Sequence, residues 1–94
     1  MNSEFEWNPV KAASNQKKHS VSFVEAATVF FDPLSITVAD PEHSSDEKRF
    51  VITGLSYQRQ ALVVVHVDRG DRIRIVSARR ATPAEREKYE SRSE

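Results

Sequence analysis

The pattern of apolar and polar positions changes period along the chain, and the changes mark its elements. Phe5-Glu6-Trp7 predicts a short first strand. Asn8-Pro9 then opens a helix over residues 9–18: Asn8 can cap the first turn, and Pro9 stands where its missing N–H costs nothing. His19-Ser20 ends that helix. Ser22-Phe23-Val24-Glu25 has the spacing of a capping box, with Val21 and Ala26 placed as a hydrophobic staple. Phe23, Ala26, Ala27 and Phe30 then recur at helical spacing, predicting a second helix over 23–31 that Asp32-Pro33 stops.

After Pro33 the period falls to two. Strands are predicted over 35–39, 47–53, 61–67 and 72–78, separated by a polar loop at 40–46, a turn at 54–60 and a hairpin loop at Arg69-Gly70. Residues 61–67 are apolar on both faces and predict the centre of the sheet. Along 47–53, Phe50 and Ile52 face one way and Arg49, Val51 and Thr53 the other. Thr82-Pro83-Ala84-Glu85 is a further capped helix start, and a last helix is predicted over 83–90. Helices segregated from a run of strands predict an α+β fold: an antiparallel sheet with two N-terminal helices and one C-terminal helix.

Composition narrows the function classes. A chain of 94 residues with 38% hydrophobic residues predicts a single domain, 1–94, with one modest core. Two glycines cannot build a phosphate-cradling loop, so no nucleotide cofactor is expected. The absence of cysteine removes disulfides, thiolate metal sites and a thiol nucleophile. The first residues lack the basic start and apolar run of a secretion signal, and the apolar run at 61–65 is too short to span a bilayer. A soluble, cytoplasmic protein is expected, with no membrane partner.

The net charge of zero conceals segregation. Residues 21–47 carry six acids and no Lys or Arg, whereas residues 48–80 carry eight basic residues against Asp68 and Asp71. Such blocks make either a basic face for an anionic partner or an internal pairing of the two halves. Arg79-Arg80 end the last long strand, and Lys17-Lys18-His19 end the first helix with Lys11 earlier on it. If those ends converge, their cations can grip one phosphate. For Lys17 and Lys18 the plainer role is to complement the carbonyl end of the helix.

Among the histidines, His19 is placed to exchange a proton near neutral pH. His66 shares an apolar strand face with Leu62 and Val64 and reads as a packed core residue, and His43 falls in the polar loop. Their spacing matches no zinc motif. Glu47 and Arg49 alternate on one strand, so they either pair or place a base beside a bound phosphate. Asp32, Asp40 and Asp46 read first as turn chemistry.

Taken in order, these segments resemble the BrnT family of bacterial type II toxins over nearly the whole chain. The resemblance rests on Phe5-Glu6-Trp7-Asn8 with Lys11 and Asn15, Lys18-His19-Ser20-Val21-Ser22-Phe23 and Val29-Phe30-Phe31-Asp32-Pro33. It continues through Glu47-x-Arg49 with Gly54, Val63-Val64-Val65-His66, Arg74 to Ala81, and Glu85-Arg86 with Tyr89. The family usually has Asp at the position of Asn8 and Gly at that of Ser20; neither departure removes a basic residue.

The resemblance implies a RelE-like α+β fold and a metal-independent ribonuclease that blocks translation. It also implies a cognate BrnA-like antitoxin of the ribbon-helix-helix class. Toxin and antitoxin would form a dimeric assembly that meets DNA only through the antitoxin, docked on either the acidic block or the basic cleft. The site expected on this basis has His19 first and Glu47 second for proton transfer. Arg79, Arg80, Lys11 and Lys18 hold the phosphate, with Arg49 in support and Tyr89 positioning RNA. No metal or other cofactor is expected. The alternatives are a non-catalytic RNA-binding module and a protein-interaction module that uses the same charges.

Overall fold

The computed structural model describes residues 4–40 and 48–92. The elements in chain order are β1 (Phe5–Glu6), α1 (Pro9–His19), α2 (Phe23–Thr28) with a 3₁₀ turn (Val29–Phe31), β2 (Ile36–Ala39), β3 (Arg49–Leu55), β4 (Ala61–Arg69), β5 (Arg72–Arg80) and α3 (Pro83–Arg92). The fold is α+β, and its five strands lie in the order β1-β5-β4-β3-β2.

The local signals act as their chemistry requires. Asn8 Oδ1 accepts from the N–H groups of Val10 at 2.8 Å and Lys11 at 3.2 Å. Ser22 Oγ accepts from the Glu25 N–H at 3.0 Å. The reciprocal half of that capping box is not made: the Glu25 carboxylate turns inward, where the Ser56 hydroxyl donates to it at 2.6 Å. At Thr82 the box is complete, with Glu85 N–H to Thr82 Oγ1 at 3.2 Å and Thr82 N–H to Glu85 Oε1 at 2.8 Å. The second helix is shorter than its apolar period suggests, because Val29–Phe31 tighten into the 3₁₀ turn before Asp32.

The sheet is mixed rather than wholly antiparallel. β2 to β5 form an antiparallel meander, but β1 lies parallel beside β5, with Phe5 opposite Ile73 and Glu6 opposite Arg74. Two residues are too few for a periodicity to show which strand they will join; the partner is chosen by the free edge of β5. Leu62, Val64, Ile52, Ile75 and Ala78 turn one sheet face toward Val21, Phe23, Ala26 and Val29, and these residues make the core beneath α1 and α2. Alternation sends Val51, Thr53 and Val63 to the other face, where α3 lies.

A bulge in β5 makes this core possible. Val65 faces Ser77 and His66 faces Ile75, so Val76 is an extra residue without a partner on β4. Ile75 and Ala78 are three apart and would fall on opposite faces of a regular strand; the bulge lets both be 1% exposed in the same core. The β4–β5 turn falls one residue later than the sequence suggests, with Gly70 in the left-handed region at φ +66°.

Candidate functional site

The last turn of α1 carries Lys17, Lys18 and His19, where cationic side chains complement the carbonyl end of the helix. Asn15 fixes that helix against β5. Its Nδ2 donates to the Ala78 carbonyl at 2.9 Å and to the Val21 carbonyl at 3.0 Å, and its Oδ1 accepts from the Ala78 N–H at 3.1 Å. β1 pairs with β5 only at Ile73 and Arg74, so the carboxamide takes the place of a neighbouring strand at Ala78.

With α1 held there, Lys11, Lys18 and His19 line one groove, and Val76 and Ser77 form its opposite wall. The bulge of β5 thus lies in the wall that faces the histidine. His19 is half-buried, and Lys11 and Lys18 are exposed. Such a groove can accept an anion and offers one group able to move a proton.

Arg79 does not line this groove. It follows Ser77 on the same face of β5, about 7 Å further along the strand. Its guanidinium enters the cleft between the sheet and α3, where Nη1 and Nη2 donate to the two carboxylate oxygens of Glu85 at 2.8 and 2.9 Å. The same Glu85 caps α3, so Arg79 is held in a fixed fork. The hydrogen bonds from Arg79, then that from the Thr82 N–H, hold the Glu85 carboxyl down at about 2.

Adjacent strand residues face opposite ways, so Arg80 departs from Arg79 and lines a third groove with Arg59 and Arg86. The expected convergence of sheet end and helix end in one cleft is therefore not seen: Lys11, Lys18 and His19, all on α1, share one groove, while Arg79 and Arg80 line two others. Arg49 is half-buried opposite Val67, toward the far end of β4 from the Val63–Arg79 pair. Glu47 and His43 lie outside the described residues.

Tyr89 is 5% exposed and walls the α3 cleft. Its hydroxyl donates to Asp32 Oδ2, which also accepts from the Leu55 N–H at 2.8 Å, while Asp32 Oδ1 accepts from the Leu34 N–H at 2.9 Å. Burial raises the Tyr89 hydroxyl, and the Asp32 carboxylate adds to this, bringing it to about 12. Burial also pushes the Asp32 carboxyl upward, but hydrogen bonds from Leu55, Tyr89 and Leu34 outweigh it and hold that carboxyl below its ordinary value. Tyr89 thus anchors α3 to the turn that begins β2.

His66 is a core residue, as its strand face suggests. Its ring lies edge-on to Phe30 at 4.7 Å and stacks on Phe50 at 5.7 Å, and neither ring nitrogen has a hydrogen-bond partner among the described residues. Sequence reasoning gave no part in the site to Asn15 or Ser77, and read Asp32 and Glu85 only as a turn former and a helix cap. Asn15 left a trace: with Ala12 and His19 it forms the inward stripe of α1 and is the polar member with no reason to be buried alone.

No helix of the described residues is long and apolar enough to cross a membrane. A search of curated proteins finds no match for the chain. The family model that matches is BrnT, the ribonuclease toxin of a type II toxin–antitoxin system, over residues 7–85. That span runs from Trp7 to Glu85 and takes in both walls of the Lys11–His19 groove and the Arg79–Glu85 fork. The chain therefore belongs to the BrnT family of ribonuclease toxins, which act on RNA and are partnered by an antitoxin.

Proposed function

We propose that residues 1–94 form one RelE-like toxin domain that cuts RNA without a divalent ion, in the groove between α1 and β5. The observation that carries this reading is the meeting of Lys11, Lys18 and His19 with the bulged segment Val76-Ser77. Among the described residues the lining of that groove supplies cations and an imidazole but no carboxylate, an inventory suited to phosphate chemistry that needs no metal.

The reaction is attack of a ribose 2′-hydroxyl on the adjacent phosphorus, which breaks the bond to the 5′-oxygen and leaves a cyclic phosphate. His19 takes the 2′-hydroxyl proton and the departing 5′-oxygen takes one from water, which leaves a 5′-hydroxyl; Glu47 is the second candidate for proton transfer. Lys11 and Lys18 hold the non-bridging oxygens as negative charge grows on them. Arg79, one strand step from Ser77, adds the N–H groups that Glu85 leaves free. Arg49 supports from β3, and Tyr89 acts through α3 by keeping Glu85, and so Arg79, in place. The partner is a BrnA-like ribbon-helix-helix antitoxin in a dimeric assembly in the cytoplasm, reaching DNA only through that antitoxin.

The test is cleavage of labelled RNA in EDTA by the wild-type chain and by His19→Ala, Lys18→Ala and Lys11→Ala. Proton transfer by a side chain supplies about 10²–10⁴-fold, so His19→Ala should lose turnover by that order while keeping RNA affinity. Lys11→Ala and Lys18→Ala should weaken binding and turnover together. Undiminished cutting by all three folded variants would overturn the assignment of the groove. Salt-sensitive RNA retention by the wild-type chain with no cut product would favour a binding module instead.

A further inference from the structure

The groove that receives Arg80 is distinct from the one assigned to cleavage. It lies at the end of the sheet where β4 begins and β5 ends, and Ala81 N–H to the Ala61 carbonyl at 2.9 Å closes its floor. Arg59, Arg80 and Arg86 stand around about 250 Å³ of space, and all three are exposed. Arg86 is paired with Glu90 at 3.0 Å. Arg59 and Arg80 have no carboxylate partner among the described residues. Guanidinium groups gathered with so little compensation repel one another, and an anion lying between them relieves that repulsion.

Arg59 is brought there at a backbone cost. Its φ of +63° is left-handed, a region that disfavours residues with a Cβ. The turn holds it firmly: Arg59 N–H donates to the Ser56 carbonyl at 2.8 Å, Ser56 N–H to the Gln60 carbonyl at 2.9 Å, and the Ser56 hydroxyl to buried Glu25. A strained, rigid turn that delivers an unpaired guanidinium into a groove is a presented side chain, not a frayed one.

We infer that the Arg59–Arg80–Arg86 groove is a second phosphate subsite, holding the backbone of the same RNA strand away from the bond that is cut. The inference rests on the ribonuclease reading above. Arg80 lies three residues from Ser77 along β5, about 10 Å, and on the opposite face of the strand, so one strand of nucleic acid that crosses the end of β5 would reach both grooves.

The experiment uses an uncleavable 2′-O-methyl oligoribonucleotide, whose blocked hydroxyl separates binding from cutting. Arg59→Gly removes the guanidinium and relieves the left-handed strain, so its melting temperature should equal or exceed that of the wild type. Its affinity should fall about tenfold, as for loss of one charge-assisted contact. Its dependence of log affinity on log salt should flatten by about 0.7, the share of one phosphate on a single strand. Arg86→Gln should move both readouts the same way. Unchanged affinity and salt slope in Arg59→Gly would overturn the inference. So would unchanged oligonucleotide binding with lost antitoxin affinity, which would give the groove to the protein partner. A wild-type chain that binds the oligonucleotide but cuts no RNA would overturn the cleavage assignment alone, because the subsite is read by binding.

Discussion

The carboxamide of Asn15 satisfies both backbone polar groups of Ala78, at 2.9 and 3.1 Å, across 63 residues of chain. A helix side chain does the work of a strand edge, and the groove of Lys11, Lys18 and His19 is a consequence of that docking. Asn15→Ala leaves the Ala78 N–H and carbonyl buried without partners, at a cost of about 2–4 kcal/mol. Asn15→Asp keeps the acceptor but loses the donor, leaving a buried carboxylate that faces two carbonyls, and should cost as much. Chemical denaturation measures the loss. RNA cleavage should fall in both variants even under conditions where they remain folded, because α1 is no longer registered against Ser77.

Ser20 occupies the left-handed region at φ 60°, where its N–H closes α1 on the Gln16 carbonyl at 2.8 Å. A side chain there carries a steric penalty of about 1 kcal/mol that glycine does not. Ser20→Gly should therefore raise stability by about that amount, reversing the usual sign for a serine-to-glycine change. A thermal melt with no gain would mean that the serine side chain compensates for its backbone.

These two positions show where the sequence was legible. Caps are local, so Asn8, Ser22 and Thr82 could be read from neighbours two or three residues away. The break at Ser20 could be read the same way. What escaped was set by residues distant in the chain. Glu25 had the spacing to complete its own capping box, but Ser56 offers a buried hydroxyl that no spacing reveals. Asp32 was legible as a turn former through Leu34; its second oxygen, which joins Leu55 to Tyr89, was not. The basic residues were identified as types, but strand alternation separates Arg79 from Arg80, and Glu85 occupies part of the Arg79 fork expected to hold the phosphate. Alternation is visible in sequence; which face α3 will cover is not.

Gly54 tests the Asp32–Tyr89 anchor. A Cβ at that position would stand 3.0 Å from Asp32 Oδ2 and 3.0 Å from the Ser35 Cβ. Neither neighbour can retreat easily, since Asp32 is held by three donors. Gly54→Ala should thus displace the carboxylate and loosen α3, whereas Tyr89→Phe removes one hydrogen bond and should cost about 1–2 kcal/mol. Hydrogen exchange in α3 should quicken in both variants, while that in α1 stays unchanged. Uniform loss of protection across the fold would refute the local anchor.

His66 makes the fold sensitive to mild acid. Burial depresses its pKa below 6.5, and Asp68 offsets this only in part. From 6.5 down to the folded-state value, the unfolded chain holds a proton that the native chain does not, so stability falls as the pH drops through that window. Melting temperatures at about pH 7.5 and about pH 5.5 should show the decline. His66→Phe fits between Phe30 and Phe50 without a ring nitrogen to satisfy, and it should shrink the decline without lowering stability at the higher pH.

Glu85 ties the stability of α3 to the availability of Arg79. Its carboxyl is held down at about 2 against an ordinary 4.5, so the stability it contributes is present above 4.5 and is lost as the pH falls toward 2. Both side chains of the pair are a third or more exposed, so solvent screens the interaction and its loss is modest at neutral pH. Glu85→Gln keeps an acceptor for the Thr82 N–H but gives up the charged fork. Arg79 then gains N–H groups and an uncompensated charge beside the groove wall at Ser77. The variant should melt slightly earlier than the wild type yet bind an uncleavable oligoribonucleotide more tightly, with a steeper salt dependence. If tighter binding comes with slower cutting, the fork positions Arg79 for the reaction; if binding does not change, Arg79 serves α3 alone and the phosphate depends on Lys11 and Lys18.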